Sequence, residues 1–252
     1  MSERFYTWAL LLILLPVSAH AQVDSVSIGR NNLSVSKIRP GKSSYSVWFQ
    51  DTTGAISQVS LWNREILLSR FNGRDVIVVR QMRYYSDPKR NKSVYTVSDR
   101  RTLQTIYDFM SRGGVNEAFN YSDKGISGAD SVKDNSKKDF RLSFKDFPFC
   151  FEMDLEILSL LPITQVGQKL VVNFYHPGGD IPPKYYPVEV LGEENIQTIN
   201  NQSVSCWKIL LRYDENSFDY SWITKQSHEL IRLEGHYDNM IFNKVKLGVP
   251  VR

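Results

Sequence analysis

The chain has 252 residues, 42% of them hydrophobic, with 31 Lys and Arg against 27 Asp and Glu and a formal net charge of +4. That length suits one large or two small domains, and we expect one, because β-rich folds often run past about 200 residues as single units. The positive excess is scattered: KRNK at Lys89–Lys92 and KDNSKK at Lys133–Lys138 sit among turn formers without interleaved aromatics, which points to solvated loops and away from a nucleic-acid surface.

Residues 1–21 read as a secretory signal peptide. Arg4 precedes an apolar run from Ala9 to Val17, and Ser18, Ala19, His20 and Ala21 supply a small-x-small cleavage pattern. The run is shorter than the roughly 20 residues of a membrane-spanning helix, so cleavage before Gln22 is expected. No cysteine follows the cut, which leaves an N-terminal lipid anchor unsupported. The mature chain, residues 22–252, is expected to be one exported domain, periplasmic or secreted, with no transmembrane segment.

Beyond the leader the sequence repeats with period two. RDVIVVRQMRYY, Arg74 to Tyr85, sets Val76, Val78, Met82 and Tyr84 on one side and Ile77, Val79 and Tyr85 on the other, the signature of a long strand covered on both faces. TLQTIYDFM, Thr102 to Met110, alternates Leu103, Thr105, Tyr107 and Phe109 against Gln104 and Asp108. SDPKRNK and SDRR supply turns around these segments, so the strands are hairpin-linked rather than βαβ units. Ser122–Asp139, rich in Ser, Lys, Asp and Gly, reads as a strand pair with a mobile tip or as a plain loop.

FEMDLEILSLLP breaks the period. Phe151, Leu155 and Leu158 recur at helical spacing with Met153, Ile157 and Leu160 beside them, which predicts a short buried helix closed by Pro162 and lying inside a curved sheet. Strands resume with KLVVNFY and KYYPVEVL. Between them lies HPGGDIPP, residues 176–183, whose glycines and prolines favour a turn over a site built on His176. SVSCWKILLRY then places Trp207, Ile209, Leu211 and Tyr213 on one face. SFDYSWITK gathers Phe218, Tyr220 and Trp222 against Asp219 and Ser221, and HELIRLEGHY sets Ile231, Leu233 and Tyr237 against Arg232, Glu234 and His236. Three consecutive antiparallel strands are expected here.

Motifs of catalysis fall short. HELIR at His228 lacks the second histidine of a zinc-peptidase helix, since Arg232 stands there. GISGA, Gly125 to Ala129, lacks the last glycine of a nucleophile elbow. The carboxylates of EMDLE and GEEN fit solvent-facing or helix-end positions better than a glycosidase pair. Cys150 and Cys206 are too far apart for a zinc site; in an oxidising compartment they could pair as a disulfide, or remain buried free thiols. No catalytic residue, metal or cofactor is assigned.

LPI at Leu161–Ile163, VGQKLVVNFYHPGG, PPKYYPVEVLG, SCWKILLRY and WITKQSHELIRLE, together with D-x-x-T-L at Asp99–Leu103, resemble the DUF3108-type exported proteins of Bacteroidetes and relatives. The resemblance runs from roughly Ser93 to Glu234. It implies a fold similar to lipoprotein-carrier and LolB-like half barrels, with no catalytic residues to carry over. The expected architecture is mainly β (α+β): a single large curved antiparallel sheet wrapped around one short helix. Two functions follow as expectations. One is binding or carriage of an apolar small molecule or lipid in the concave face, with Phe218, Tyr220 and Trp222 as candidate lining. The other is a structural or protein-interaction module of the cell envelope with no ligand cavity, contacting an envelope protein.

Overall fold

The computed structural model describes residues 23–28, 32–197 and 201–248; the expected leader, 1–21, lies outside them. Among the described residues sixteen strands form one sheet. In chain order they are β1 (Asp24–Val26), β2 (Gly41–Asp51), β3 (Ile56–Phe71), β4 (Arg74–Tyr85), β5 (Lys92–Asp99), β6 (Thr105–Arg112), β7 (Val115–Ser122), β8 (Gly125–Gly128), β9 (Arg141–Leu142), β10 (Phe149–Cys150), β11 (Lys169–Tyr175), β12 (Lys184–Gln197), β13 (Ser203–Arg212), β14 (Ser217–Thr224), β15 (Leu230–Tyr237) and β16 (Met240–Leu247). Between β10 and β11 the chain makes a 3-10 turn, Phe151–Met153, and one helix, α1, Asp154–Ser159.

Two antiparallel meanders, β2 to β9 and β11 to β16, are joined where β16 pairs with β2. Among the strand pairs of the described residues, β1 and β10 run parallel to their neighbour, and both lie against β11. Register shifts at Val47/Phe49, Val97/Ser98, Val190/Gly192 and Trp222/Ile223 mark irregularities that bend and twist the strands they interrupt. The result is the open, curved sheet expected from the sequence.

α1 is shorter than its apolar pattern suggests. It ends at Ser159, and Leu160 and Leu161 continue as a buried turn before Pro162. Leu155, Ile157, Leu158, Leu160 and Leu161 pack with Ile77 and Val79 of β4, Val172 and Phe174 of β11, Ile209 and Leu211 of β13 and Leu230 and Leu233 of β15. The helix thus fills the centre of the concavity, and this contiguous cluster is the main core. The first half of β4 is covered on both faces, because Val76 and Val78 join a second cluster on the convex side with Val97; the expected cover does not extend along the strand, since Met82 and Tyr84 on that same side are exposed.

The Ser122–Asp139 segment is ordered by buried groups that its composition hides. β8 pairs with β7 and with β9, and Phe140, Leu142, Phe144 and Phe147 cover Phe119, Tyr121, Ile126 and Tyr175. Within KDNSKK, Asn135 is buried: its Oδ1 accepts from Ala118 N at 3.0 Å, and its Nδ2 donates to Ala118 O at 2.8 Å and to Ala129 O at 3.0 Å. One amide side chain therefore replaces a strand edge for this stretch.

Candidate functional site

The inside of the shell is apolar around α1 and ionic on its flanks. Arg64 of β3 is buried and fully engaged: Nε donates to Glu156 Oε1 at 2.9 Å, Nη1 to Gln81 Oε1 at 3.0 Å and Nη2 to the Glu152 carbonyl at 2.7 Å, with a second short contact to Glu156 Oε2. Glu152 accepts from Arg83 Nη2 at 2.7 Å and from Lys92 Nζ at 2.9 Å. Burial alone would raise its carboxyl, but the two cations overcome it and bring it down to about 2. Of the EMDLE carboxylates, Glu152 and Glu156 are thus not solvent-facing, while Asp154 stands at the start of α1. Glu152 and Glu156 fasten the helical segment to β3, β4 and β5.

Two further carboxyls are enclosed. Asp108 of β6 accepts from Thr96 Oγ1 at 2.6 Å, and burial together with Glu152 pushes it up to about 7. Asp219 of β14 accepts from Tyr213 at 2.6 Å and from Tyr237 at 2.7 Å, yet burial still raises it above the usual carboxylate value.

That Asp219 faces inward fixes the place of its neighbours and corrects the expected lining. Phe218, Tyr220 and Trp222 alternate with it and lie on the convex side. There Trp222 packs with Cys206 and Ile231 and donates to Glu194 Oε2 at 2.6 Å. Lys208 lies over the rings of Tyr220 and Trp222, Arg232 over Trp222 and Arg212 over Phe218. The long cationic side chains shield the aromatic row from water. Ile223 follows Asp219 and Ser221 on the inner face, and the bulged residue opposite Trp222 and Ile223 is Ile231 of β15, which joins Trp222 in the convex cluster while Leu230 points to the core.

The remaining sequence candidates are also placed. Cys150 and Cys206 are free and buried, Cys150 beside Asp108 inside the shell and Cys206 in the convex cluster, so they lie on opposite faces and no disulfide forms. His176 is the turn residue it reads as, its ring stacked on Phe151 at 4.0 Å and its carbonyl accepting from Gly179 N. His228 follows β14 in a turn, with φ of 53°.

Open volume lies at one end of the shell. A cleft of about 760 Å³ forms between the Lys37–Ser43 segment, the end of α1, the start of β13 and the Thr224–Leu230 turn. Its floor carries Ile66, Leu155 and Leu160 together with two neutralised pairs, Arg64–Glu156 and Lys246–Glu229. Lys246 holds the Glu229 carboxyl below its usual range against burial. Its rim carries Lys37, Arg39, Lys42 and Lys225.

The turn at the rim is well fixed. Thr224 and Ser227 hydroxyls meet at 2.6 Å, Ser227 donates to Glu229 at 2.9 Å, and His228 N donates to Thr224 O at 3.1 Å. His228 Nε2 lies 2.6 Å from Lys37 Nζ, and its Nδ1 lies 3.3 Å from the Ser159 carbonyl at the end of α1. Burial and the Lys37 ammonium keep the imidazole below its ordinary pKa, so the neutral ring accepts from Lys37 and donates to Ser159 O. Sequence reasoning missed this cleft. Its one local signal is KIRPGK, Lys37 to Lys42, three cations in six residues running into the start of β2.

A family model described as "Protein of unknown function (DUF3108)" matches residues 44–239. No curated protein matches the sequence. Among solved structures, a β-barrel-like protein of the domain of unknown function DUF1849 from Brucella abortus aligns over 82% of this chain and 95% of its own, at 10% identity and a TM-score of 0.52, which supports a shared fold. A putative lipoprotein from Parabacteroides distasonis aligns over 82% of this chain and 94% of its own at 13% identity, and a DUF1329 family protein from Desulfovibrio piger over 82% and 83% at 11%; both have TM-scores of 0.30, too low to establish a common fold.

Proposed function

The chain belongs to the DUF3108 family, and on that footing we propose that it is an exported, non-enzymatic binding or carrier protein that takes an apolar-tailed, lipid-like ligand in the cleft at the end of its half barrel. The observation that carries this reading is the cleft itself. About 760 Å³ of space abuts the apolar side chains of Ile66, Leu155 and Leu160, within the roughly 300–1,000 Å³ typical of small-ligand sites. The centre of the concavity is closed by α1, so the ligand enters from the rim and does not thread the shell. Export follows from the leader-like residues 1–21; among the described residues no helix is long and apolar enough to cross a membrane.

The test is native mass spectrometry of gently purified protein, followed by melting with added dodecanoate or dodecanol. Co-purified species of lipid-like mass and a raised melting temperature are expected. A bare protein mass together with an unchanged melt for both additives would sink the reading.

A second reading, an interaction module of the cell envelope, is favoured by a different surface. On the convex face Leu61 of β3 stands opposite Tyr84 of β4, with Val59 and Met82 near them, and all four are exposed. Apolar neighbours left uncovered on one sheet face are a mark of protein contact. A photo-crosslinker placed at position 61 in cells should then trap one discrete envelope protein, and a smear or no adduct would remove this reading.

A further inference from the structure

We propose that the ligand of the end cleft carries an anionic head, a phosphate or carboxylate, gripped at the rim by Arg39, Lys42 and Lys225 while its apolar part lies inward on Leu155 and Leu160. This rests on the reading that the cleft binds a ligand and adds what kind.

Charge is placed unevenly between floor and rim. On the floor the cations are cancelled: Arg64 by Glu156 and Lys246 by Glu229. At the rim the pairing is partial and exposed to solvent. Arg39 is exposed and makes no ion pair among the described residues. Lys42 reaches Glu65 only at 3.7 Å with 83% of its side chain exposed, and Arg80 shares that carboxylate. Lys37 rests on neutral His228, and Lys225 pairs with Glu193 at 2.7 Å at a half-exposed position while lying over the Trp207 ring at 4.2 Å. Four cations therefore edge an opening in which, among the described residues, the lining carboxylates are Glu156 and Glu229, both already paired with Arg64 and Lys246. Like charges around a concave wall focus potential into it and attract an anion, and a guanidinium free to use its fork suits phosphate or carboxylate. A neutral apolar ligand would leave this ring without a role, whereas an amphiphile satisfies rim and floor at once.

Binding of dodecyl phosphate, dodecanol and inorganic phosphate to the whole protein would be measured by calorimetry, with Arg39→Gln and Lys42→Gln combined as the test variant. Both positions are exposed, so folding is retained, and a melt of the variant alone confirms it. Dodecyl phosphate is expected to bind more tightly than dodecanol, to weaken with added salt and to lose about tenfold in the double variant, as expected for two exposed charge contacts. Dodecanol should be indifferent to the substitutions. Inorganic phosphate matching dodecyl phosphate would keep the anion site and assign it to a free anion, overturning the inward tail. Equal binding of dodecanol and dodecyl phosphate, insensitive to the variant, overturns the anionic head and leaves the carrier reading standing; no binding by any of the three defeats the carrier reading itself.

Discussion

Arg64 and Glu156 meet inside the shell in a two-pronged ion pair, Nε to Oε1 at 2.9 Å beside the Nη2–Oε2 contact, and both are almost entirely removed from water. Arg64 comes from the sheet and Glu156 from the helix, so this pair sets how deep α1 sits. Glu156→Gln leaves a guanidinium buried without its counter-charge, and we expect a loss of about 3–5 kcal/mol of stability. Urea unfolding of that variant beside Arg64→Met with Glu156→Leu checks the cause: the double apolar replacement should recover most of the loss. Equal damage in both would show that the pair contributes only its shape.

Asp108 and Glu152 occupy the same flank and respond to pH in opposite directions. Asp108, raised from 3.8 to about 7, keeps in the folded state a proton that the unfolded chain gives up, so its contribution to stability falls as pH climbs through that interval. Asp108→Asn should stabilise by about 1–3 kcal/mol at pH 8 and change little at pH 4. Glu152, lowered from 4.5 to about 2, contributes stability above pH 4.5 that fades as pH falls toward 2. Glu152→Gln should therefore be costly at pH 7 and nearly silent near pH 2. Denaturant melts of both variants across pH decide this; parallel profiles would contradict the assignment.

Gly178 is required twice over. Its φ is 71°, and a Cβ there would stand 2.5 Å from Cζ of Phe119. Gly167 has a similar φ of 81°, but a Cβ added there would meet nothing within 4 Å. Gly178→Ala is expected to cost about 2–4 kcal/mol, and Gly167→Ala about 1 kcal/mol from backbone strain alone. Thermal unfolding of the two variants separates conformation from collision.

Both thiols should be silent in the folded protein. Cys150 is buried and pushed well up in pKa; burial and Glu194 raise Cys206 to about 12. Thiolate is the reactive form, so a thiol reagent at pH 8 should label neither quickly in the native state and both in denaturant without reductant. Labelling of neither in denaturant would reveal a bond between them.

The strand pattern of this chain is legible because most segments have one face in the core and one in solvent, which writes itself as alternation. The assignment of faces is less so. In SFDYSWIT hydropathy selects Phe218, Tyr220 and Trp222 as the inner row, yet the inner row holds Asp219 and Ser221. Asp219 can be buried because Tyr213 and Tyr237, brought from flanking strands, both donate to it. The aromatic row can face outward because Lys208, Arg212 and Arg232 cover it. Each condition depends on partners outside the strand itself, and no local periodicity encodes them. The same holds for Asp108, which reads as the solvent side of its strand and lies inside. The cleft escaped notice for another reason: it is assembled from the ends of several separate segments, and only KIRPGK leaves a trace in the sequence.

The border between β16 and β2 runs from Met240 against Asp51 to Leu247 against Ser44, so its facing residues are about 200 positions apart. Each meander can zip locally from its own hairpins, but the shared hollow draws Arg64, Arg83 and Lys92 from one ribbon and Lys244 and Lys246 from the other. Such distant pairings are the slow step of chain assembly. Refolding should thus pass through two ribbons already formed and not yet stitched together, with the charged interior still wet until the final seam shuts.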